Sequence, residues 1–154
     1  MAILGVDDFK SKLVGGGARA NMFKVTCNFP SYAAGNVELT SFLVKGAQMP
    51  ASIISPIMIP FRGRQLQIAG DRTFEPWSIT VINDVEFTVR NSFERWMNGI
   101  NSHNLNVRNP IALAPFGYTV DGSVTQFGKQ GNSLKKYKFV GLFPTDVAAI
   151  DVDW

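Results

Sequence analysis

The sequence predicts a mainly β protein: an antiparallel β-sandwich or barrel with one flanking α-helix. Three observations support this fold class. Short segments that alternate apolar and polar residues are the commonest pattern, glycine-containing turns separate them, and only one long segment has the period of an amphipathic helix. The 154 residues fit a single domain that buries its own core, with about seven strands joined by short connections.

Residues 1–20 are predicted to form a flexible arm in front of a single β domain at 21–154. A short amphipathic segment in the arm leads into Gly15, Gly16 and Gly17, with Arg19 just beyond. Consecutive glycines lose much conformational entropy when they are fixed. We therefore expect the arm to become ordered only against a partner, and we place these four residues at a subunit interface.

Two strands are predicted next. Residues 22–29 alternate, and Cys27 within them has the size and habits of a small buried hydrophobe. Residues 39–47 also alternate. We expect the face with Phe42 and Val44 to point into the core.

Residues 49–60 form the most unusual segment, because they are strongly apolar and yet interrupted by proline. Pro50, Pro56 and Pro60 each lack a backbone N–H, which argues against a regular central strand. Either the segment folds back as a loop over its own core, or it protrudes as a loop that docks on a neighbouring subunit, as exposed apolar patches do. The candidate interface residues are Met49, Pro50, Ile53, Ile54, Pro56, Ile57, Met58 and Ile59.

Residues 69–98 contain a turn, a strand and a helix in succession, and we expect the rest of the chain to pack on them. Gly70, Asp71 and Arg72 are predicted to form a tight turn in which Gly70 takes a positive φ and the two polar side chains hold the loop in place. The next segment, 76–83, alternates as a strand does. Its apolar face holds Trp77, Ile79 and Val81.

The helical period begins after that strand. Asn83 is the predicted N-cap, Glu86 is predicted to close a capping box, and Gly99 is the predicted left-handed stop. The apolar stripe of the helix is expected to pack into the core. It comprises Val85, Val89, Phe93, Trp96, Met97 and Ile100.

A hairpin and a short final strand complete the predicted elements. Residues 118–127 and 134–140 alternate on either side of a glycine-containing connection. Lys136 and Lys138 share one side of the second strand, which indicates a solvated face. The final strand is predicted at 148–154.

The residues that catalysis and metal binding need are scarce. His103 is the only histidine and Cys27 the only cysteine, so the sequence has no set for a catalytic triad, a disulfide or a thiolate zinc site. A net charge of +3 is too small to indicate a nucleic-acid surface. We predict no catalytic, metal or cofactor site, and no membrane insertion, since no apolar run approaches the length of a span.

Several ordered motifs resemble those of one known family. The run AGDRTFEPWSITVIND, the turn GLFPT at 141–145 and the terminal VDW are similar to segments of the tail tube proteins of contractile-tailed bacteriophages. The resemblance follows most of the chain in order, from a first strand at 21–25, through QMP at 48–50 and a strand at 62–70, to the central stretch.

The resemblance departs at one place. Relatives continue past the Asp-Trp motif into a further strand, whereas this sequence stops at Trp154. We expect either that another segment takes the place of that strand, or that the sequence is short of the natural C-terminus.

The resemblance implies a structural protein and not an enzyme. In that family six copies close into a ring and the rings stack into a tube; the sheets of neighbouring subunits join into a barrel around a channel, with the helix outside it. The implied partners are further copies of the chain, the tail sheath, baseplate, tail-terminator and tape-measure proteins, and DNA in transient, non-specific passage. The implied location is the virion tail, assembled in the host cytoplasm.

Two other functions are left open. One is the tube protein of a related contractile injection system, which shares the architecture. The other is of a different class: a monomeric β-domain that binds a peptide or nucleic acid on an open strand edge. Sizing by light scattering separates the classes, because a ring or filament supports the tube and a stable monomer supports the binding module.

Overall fold

The computed structural model describes residues 5–13, 15–108, 110 and 114–153. The helices are α1 (Val6–Lys12), α2 (Val37–Leu43), α3 (Thr88–Ile100) and α4 (Pro115–Tyr118), with a 3₁₀ turn at Ser31–Ala33. The strands are β1 (Phe23–Cys27), β2 (Val44–Ala47), β3 (Ser52–Phe61), β4 (Arg64–Phe74), β5 (Ile79–Val81), β6 (Val120–Phe127) and β7 (Ser133–Leu142).

The strands of the described part form three antiparallel sheets. β6 lies between β1 and β7 in a three-stranded sheet, while β2 pairs with β5 and β3 pairs with β4. The mainly β class and the antiparallel pairing are confirmed, as are the strands predicted at 22–29 and on both sides of the later hairpin. The single flanking helix is wrong, since the described residues contain four helices, and no closed barrel is found among them.

Trp96 is the centre of the core. Its side chain is 1% exposed, packs with the buried Cys27 and Ala33, and donates a hydrogen bond from Nε1 to the carbonyl oxygen of Tyr118 at 2.8 Å. This bond joins α3 to the end of α4, so the buried indole is well packed and its N–H has a hydrogen-bond partner. Partly buried apolar residues surround the cluster: Phe29, Tyr32, Phe93, Ile100 and Val120.

The predicted strand at 39–47 is wrong in its first half. Residues 37–43 form α2, because the side chain of Asn36 caps that helix by accepting a hydrogen bond from the Leu39 N–H at 3.0 Å. The expected core face is only partly correct, since Val44 is partly buried but Phe42 is not. Phe42 is 80% exposed, whereas Thr40 is buried and donates its hydroxyl to the carbonyl oxygen of Asn36.

The long helix starts and ends later than predicted. The N-cap position is Phe87, not Asn83, and its side chain makes no capping bond. Asp84 lies just before it, and its carboxylate accepts hydrogen bonds from the N–H and hydroxyl of Thr88 at 2.9 and 2.7 Å. Val85 therefore lies before the helix and is 98% exposed. Gly99 is inside α3 and packs on Tyr32, so it provides a close approach and not a left-handed stop.

The remaining residues of the central stretch lie at or near the core. Val89 is buried, while Phe93, Met97, Trp77, Ile79 and Val81 are partly buried. Trp77 stacks on Phe139 with ring centroids 4.6 Å apart, which packs the segment before β5 against β7. The strand predicted at 148–154 is not formed over 148–153, and Trp154 is outside the described residues.

We expect Trp96→Ala to lower the free energy of unfolding by roughly 3–5 kcal/mol, because it removes a large buried side chain and leaves a cavity. Urea melts of the two proteins measure the difference. Phe42→Ala is the control, since its side chain is exposed, and should change stability by about 0.5 kcal/mol or less. A loss below about 1 kcal/mol for Trp96→Ala contradicts the assignment of the core.

Candidate functional site

The most exposed apolar part of the structure is the hairpin formed by β3 and β4. Every residue of β3 is exposed, and in β4 only Gly70 is partly shielded. Arg62 and Gly63 connect the strands with φ angles of 46° and 79°, as a two-residue type I′ turn requires. The segment 49–60 is therefore not a proline-broken loop: most of it is one strand of a protruding hairpin.

The prolines fit this strand because the hairpin has no third strand in the described structure. Proline is tolerated in an edge strand when the missing N–H would have pointed away from the partner strand. Pro56 and Pro60 stand opposite Ala69 and Gln65, at pairs that do not bond across the hairpin. The prediction correctly excluded a central strand but overlooked an edge strand.

The two faces of the hairpin differ in chemistry. We call the first the apolar face; it comprises Ile53, Ile57, Ile59, Phe61, Leu66 and Ile68, with Arg64 and Thr73 at its two ends. We call the second the mixed face; it comprises Ile54, Pro56, Met58, Pro60, Gln65, Gln67, Ala69 and Arg72. Ile57 is 53% exposed and Leu66 is 58% exposed, so the apolar face is in contact with solvent in the protomer.

The apolar face includes residues that the sequence reasoning missed. Leu66 and Ile68 stand opposite Ile59 and Ile57 on the exposed face. Phe61 was not assigned to any surface. The alternation of apolar residues on both sides of a two-residue turn is the signal that identifies them.

The predicted turn at 70–72 is also wrong. Gly70, Asp71 and Arg72 are inside β4, where the register shifts opposite Ser55. Gly70 does not take a positive φ. A Cβ on it would lie 2.5 Å from the carbonyl oxygen of Ser55, so glycine is needed for the close approach of the two strands.

The N-terminal arm contains a helix that buries none of its residues. α1 exposes Val6 and Phe9, and the glycines that follow it are exposed as well. Arg19 is tied to the domain through its carbonyl oxygen, which accepts a hydrogen bond from the Gln126 side chain at 3.3 Å. Residues 1–4 and 14 lie outside the described part, and the ordering of the arm against a partner stays a prediction.

One face of the three-stranded sheet is polar and basic. Lys24, Lys136 and Lys138 share it with short hydroxylated side chains from β1 and β6. The Lys138 ammonium lies 3.1 Å from the carboxylate of Asp121. The hydrogen bond from Lys138 lowers the pKa of Asp121 below its usual value, and the N–H of Gly141 acts in the same direction.

The described residues do not assemble a chemical site. Burial raises the pKa of the Cys27 thiol to about 11, so this thiol stays protonated and unreactive at neutral pH. No group of three or more potential metal ligands is found between residues 5 and 153 where the structure is described. Over the same residues, no helix is long and apolar enough to cross a membrane.

These features define a class of protein: a small antiparallel β domain with an exposed, two-faced hairpin and, in its described part, no cluster of metal ligands. The family profile described as phage tail tube protein matches residues 18–154. The chain belongs to the phage tail tube protein family, and the family prediction made from its motifs is confirmed. It is a structural protein of the bacteriophage virion, of the contractile-tail type.

The similarity to individual relatives spans most of each chain. The tail tube protein gp19 of Enterobacteria phage T4 is 30% identical over 138 residues, which cover 89% of this chain and 79% of the relative. The tail tube protein gp19 of Enterobacteria phage T6 matches with the same identity and coverage. The tail tube protein of Serratia phage KSP90 is 29% identical over 152 residues, which cover 96% of this chain and 84% of the relative.

We expect Lys138→Met to raise the pKa of Asp121 toward its usual value, because the main stabilising partner of the carboxylate is gone. A carboxyl whose pKa is lowered by folding stabilises the protein above its ordinary pKa, and this contribution is lost as the pH falls through the folded-state value. An NMR titration of the Asp121 carboxyl measures the shift. Lys136→Met, on the same face, should leave it unchanged; an equal effect from both variants contradicts the pairing.

Proposed function

We propose that this protein is the protomer of a phage tail tube, which polymerises as stacked hexameric rings around a channel for the genome and the tape-measure protein. The observation that supports it best is the β3–β4 hairpin, whose apolar face is wet in the protomer. A soluble monomer does not keep a surface of this kind exposed, because burying it is favourable by about 25 cal/mol per Å².

The size of the exposed surface agrees with several contacts per protomer. The chain exposes 12129 Å², whereas a compact monomer of this length is expected to expose roughly 7,700 Å². The excess of roughly 4,400 Å² is enough for several interfaces of about 800 Å² per partner. A subunit with neighbours in its own ring and in the rings above and below needs surface on this scale.

We assign the hairpin to the contact between protomers. The proposed interface extends from Met49 and Pro50 into β3 and includes Ile53, Ile54, Pro56, Ile57, Met58 and Ile59. The glycines of the arm and Arg19 form a second contact, to which α1 adds an exposed apolar side. Residues 1–20 thus act as an arm, and 21–154 as the tube domain.

In the proposed assembly, the sheets of neighbouring protomers join edge to edge into a barrel that lines the channel. Closing a barrel removes the unpaired strand edges that separate small sheets expose. The tube then contacts the tail sheath, baseplate and tail-terminator proteins, and it is assembled in the host cytoplasm as part of the virion. DNA passes through it without specific binding.

We expect the purified protein to form rings or tubes in solution, because its apolar hairpin is stable only when covered. Light scattering gives the size of the particles, and electron microscopy gives their symmetry. Six-fold rings that stack support the proposal. A stable monomer at high concentration would instead indicate a β-domain binding module, and tubes of another symmetry would refute the hexamer.

We expect the double substitution Ile59→Ser with Leu66→Ser to abolish tube formation while the protomer stays folded. These residues face each other on the apolar face, so the change removes one apolar pair of the proposed interface. Because the contact is repeated in every ring, a modest loss of binding free energy per protomer adds up to a large loss for the tube. Circular dichroism and electron microscopy measure fold and assembly.

The matched control is Gln65→Ser with Gln67→Ser, which changes two polar side chains of the mixed face and keeps their backbone N–H groups. We expect this control to assemble. Normal tubes from the Ile59 and Leu66 variant would remove the apolar face from the interface, and loss of its circular dichroism would return those residues to the core of the protomer.

A further inference from the structure

We infer that the outer edge of β4, and not that of β3, is the strand edge on which the hairpin takes up an extended segment of a second copy of this chain. The inference rests on the proposed function, since it needs a second copy that assembles with the first. It states which of the two strand edges makes the contact, which the exposure of the hairpin alone does not reveal.

The register of the hairpin determines which backbone groups point outward. In an antiparallel pair, residues alternate between positions that bond across the pair and positions whose N–H and C=O point away. The type I′ turn makes Phe61 and Arg64 a bonded pair. At the other end, the Glu75 N–H donates to the carbonyl oxygen of Ala51 at 3.1 Å.

The alternation counted from either end gives a consistent set of outward-pointing pairs. They are Pro60 with Gln65, Met58 with Gln67, Pro56 with Ala69, Ile54 with Arg72, and Ser52 with Phe74.

Proline blocks the β3 edge at two of these positions. Pro56 and Pro60 have no N–H to offer an incoming strand, so Met58 is the one outward donor of β3 between Pro56 and the turn. Proline on an edge strand is a common device against pairing with another chain. The β3 edge is therefore protected over the half of the hairpin that protrudes furthest.

The β4 edge has no such protection. Gln65, Gln67 and Ala69 each direct an N–H and a C=O outward, and no third strand covers them in the described protomer. Over the protruding half of the hairpin, where the β3 edge is blocked and the β4 edge is open, strands add from one side only. A one-sided contact of this kind is heterologous, and such contacts close into rings or continue as helical filaments.

A second copy of the chain is the occupant that the molecule itself provides. The chain belongs to a family of tail tube proteins, and its excess exposed surface is sufficient for several contacts with like subunits. Among the described strands, β1 and β7 each keep an unpaired outer edge that another protomer's hairpin can extend. Strand addition of this type gains affinity from main-chain hydrogen bonds.

The test compares proline substitutions on the two edges. Gln67→Pro and Ser52→Pro change outward-pointing residues of β4 and β3, and each removes one outward N–H without breaking a bond of the hairpin. Gln67→Ala removes the glutamine side chain and keeps its N–H. Circular dichroism and thermal melting show that each protomer is folded, and light scattering against concentration measures assembly.

We expect Gln67→Pro to raise the critical concentration for assembly by about tenfold or more, as the loss of a main-chain hydrogen bond at every repeated contact predicts. Wild type, Gln67→Ala and Ser52→Pro should assemble alike. Normal assembly of Gln67→Pro, or failure of Ser52→Pro, overturns the edge assignment. A wild-type protein that remains monomeric overturns the tube function and the edge assignment together, so the two failures are distinguished.

Discussion

The solvent exposure of the apolar face of the β3–β4 hairpin is the physical constraint on which the rest of this account depends. Two strands alone are at best marginally stable in water, and β3 and β4 have no third strand in the described protomer. This exposure is the reason for the proposal that a neighbouring protomer covers the hairpin. The small core, the excess surface and the family membership are all consistent with a subunit that is complete only in an assembly.

Aromatic packing builds the core around Trp96 and, separately, fixes the segment that follows the hairpin. α3 contributes Trp96 and Phe93, which pack on Phe29 in the segment after β1 with ring centroids 5.8 and 5.1 Å away. The ring of Trp77, three residues past the end of β4, stacks on Phe139 of β7. The end of the hairpin is thus anchored to the three-stranded sheet, while its tip is free to reach a neighbour.

The apolar periodicity of the sequence correctly predicted a helix and three strands that each bury one face. The stripe of α3 and the alternation of β1, β6 and β7 follow from burial on one face, which the sequence displays directly. The strand predicted at 39–43 failed because the cap at Asn36 favours a helix over an equally apolar alternation. The cap of α3 was predicted four residues too early, at Asn83, because the apolar period already includes Val85; the N-cap position is Phe87, and the Asp84 carboxylate bonds to the N–H of Thr88.

The hairpin was harder to predict, because its prolines and its central glycine fit a strand only at the edge of a sheet. Pro56 and Pro60 exclude a central strand but not an edge strand. A glycine such as Gly70 is needed both in tight turns and where two strands approach closely, so its presence does not distinguish the two. The apolar composition of 49–60 correctly identified an unusual surface. The partner strand was predicted at 62–70, but the exposure of Leu66 and Ile68 was not, because inward and outward apolar faces have the same period.

Hydrogen exchange on residues 52–74 tests the central claim most directly, because it compares the backbone of the hairpin before and after assembly. The account predicts fast exchange of this segment in the isolated protomer and slow exchange in the tube, while the amides of α3 are slow in both states. Equally fast exchange of 52–74 in the tube would show that the hairpin stays exposed, and would contradict its role as the contact between protomers.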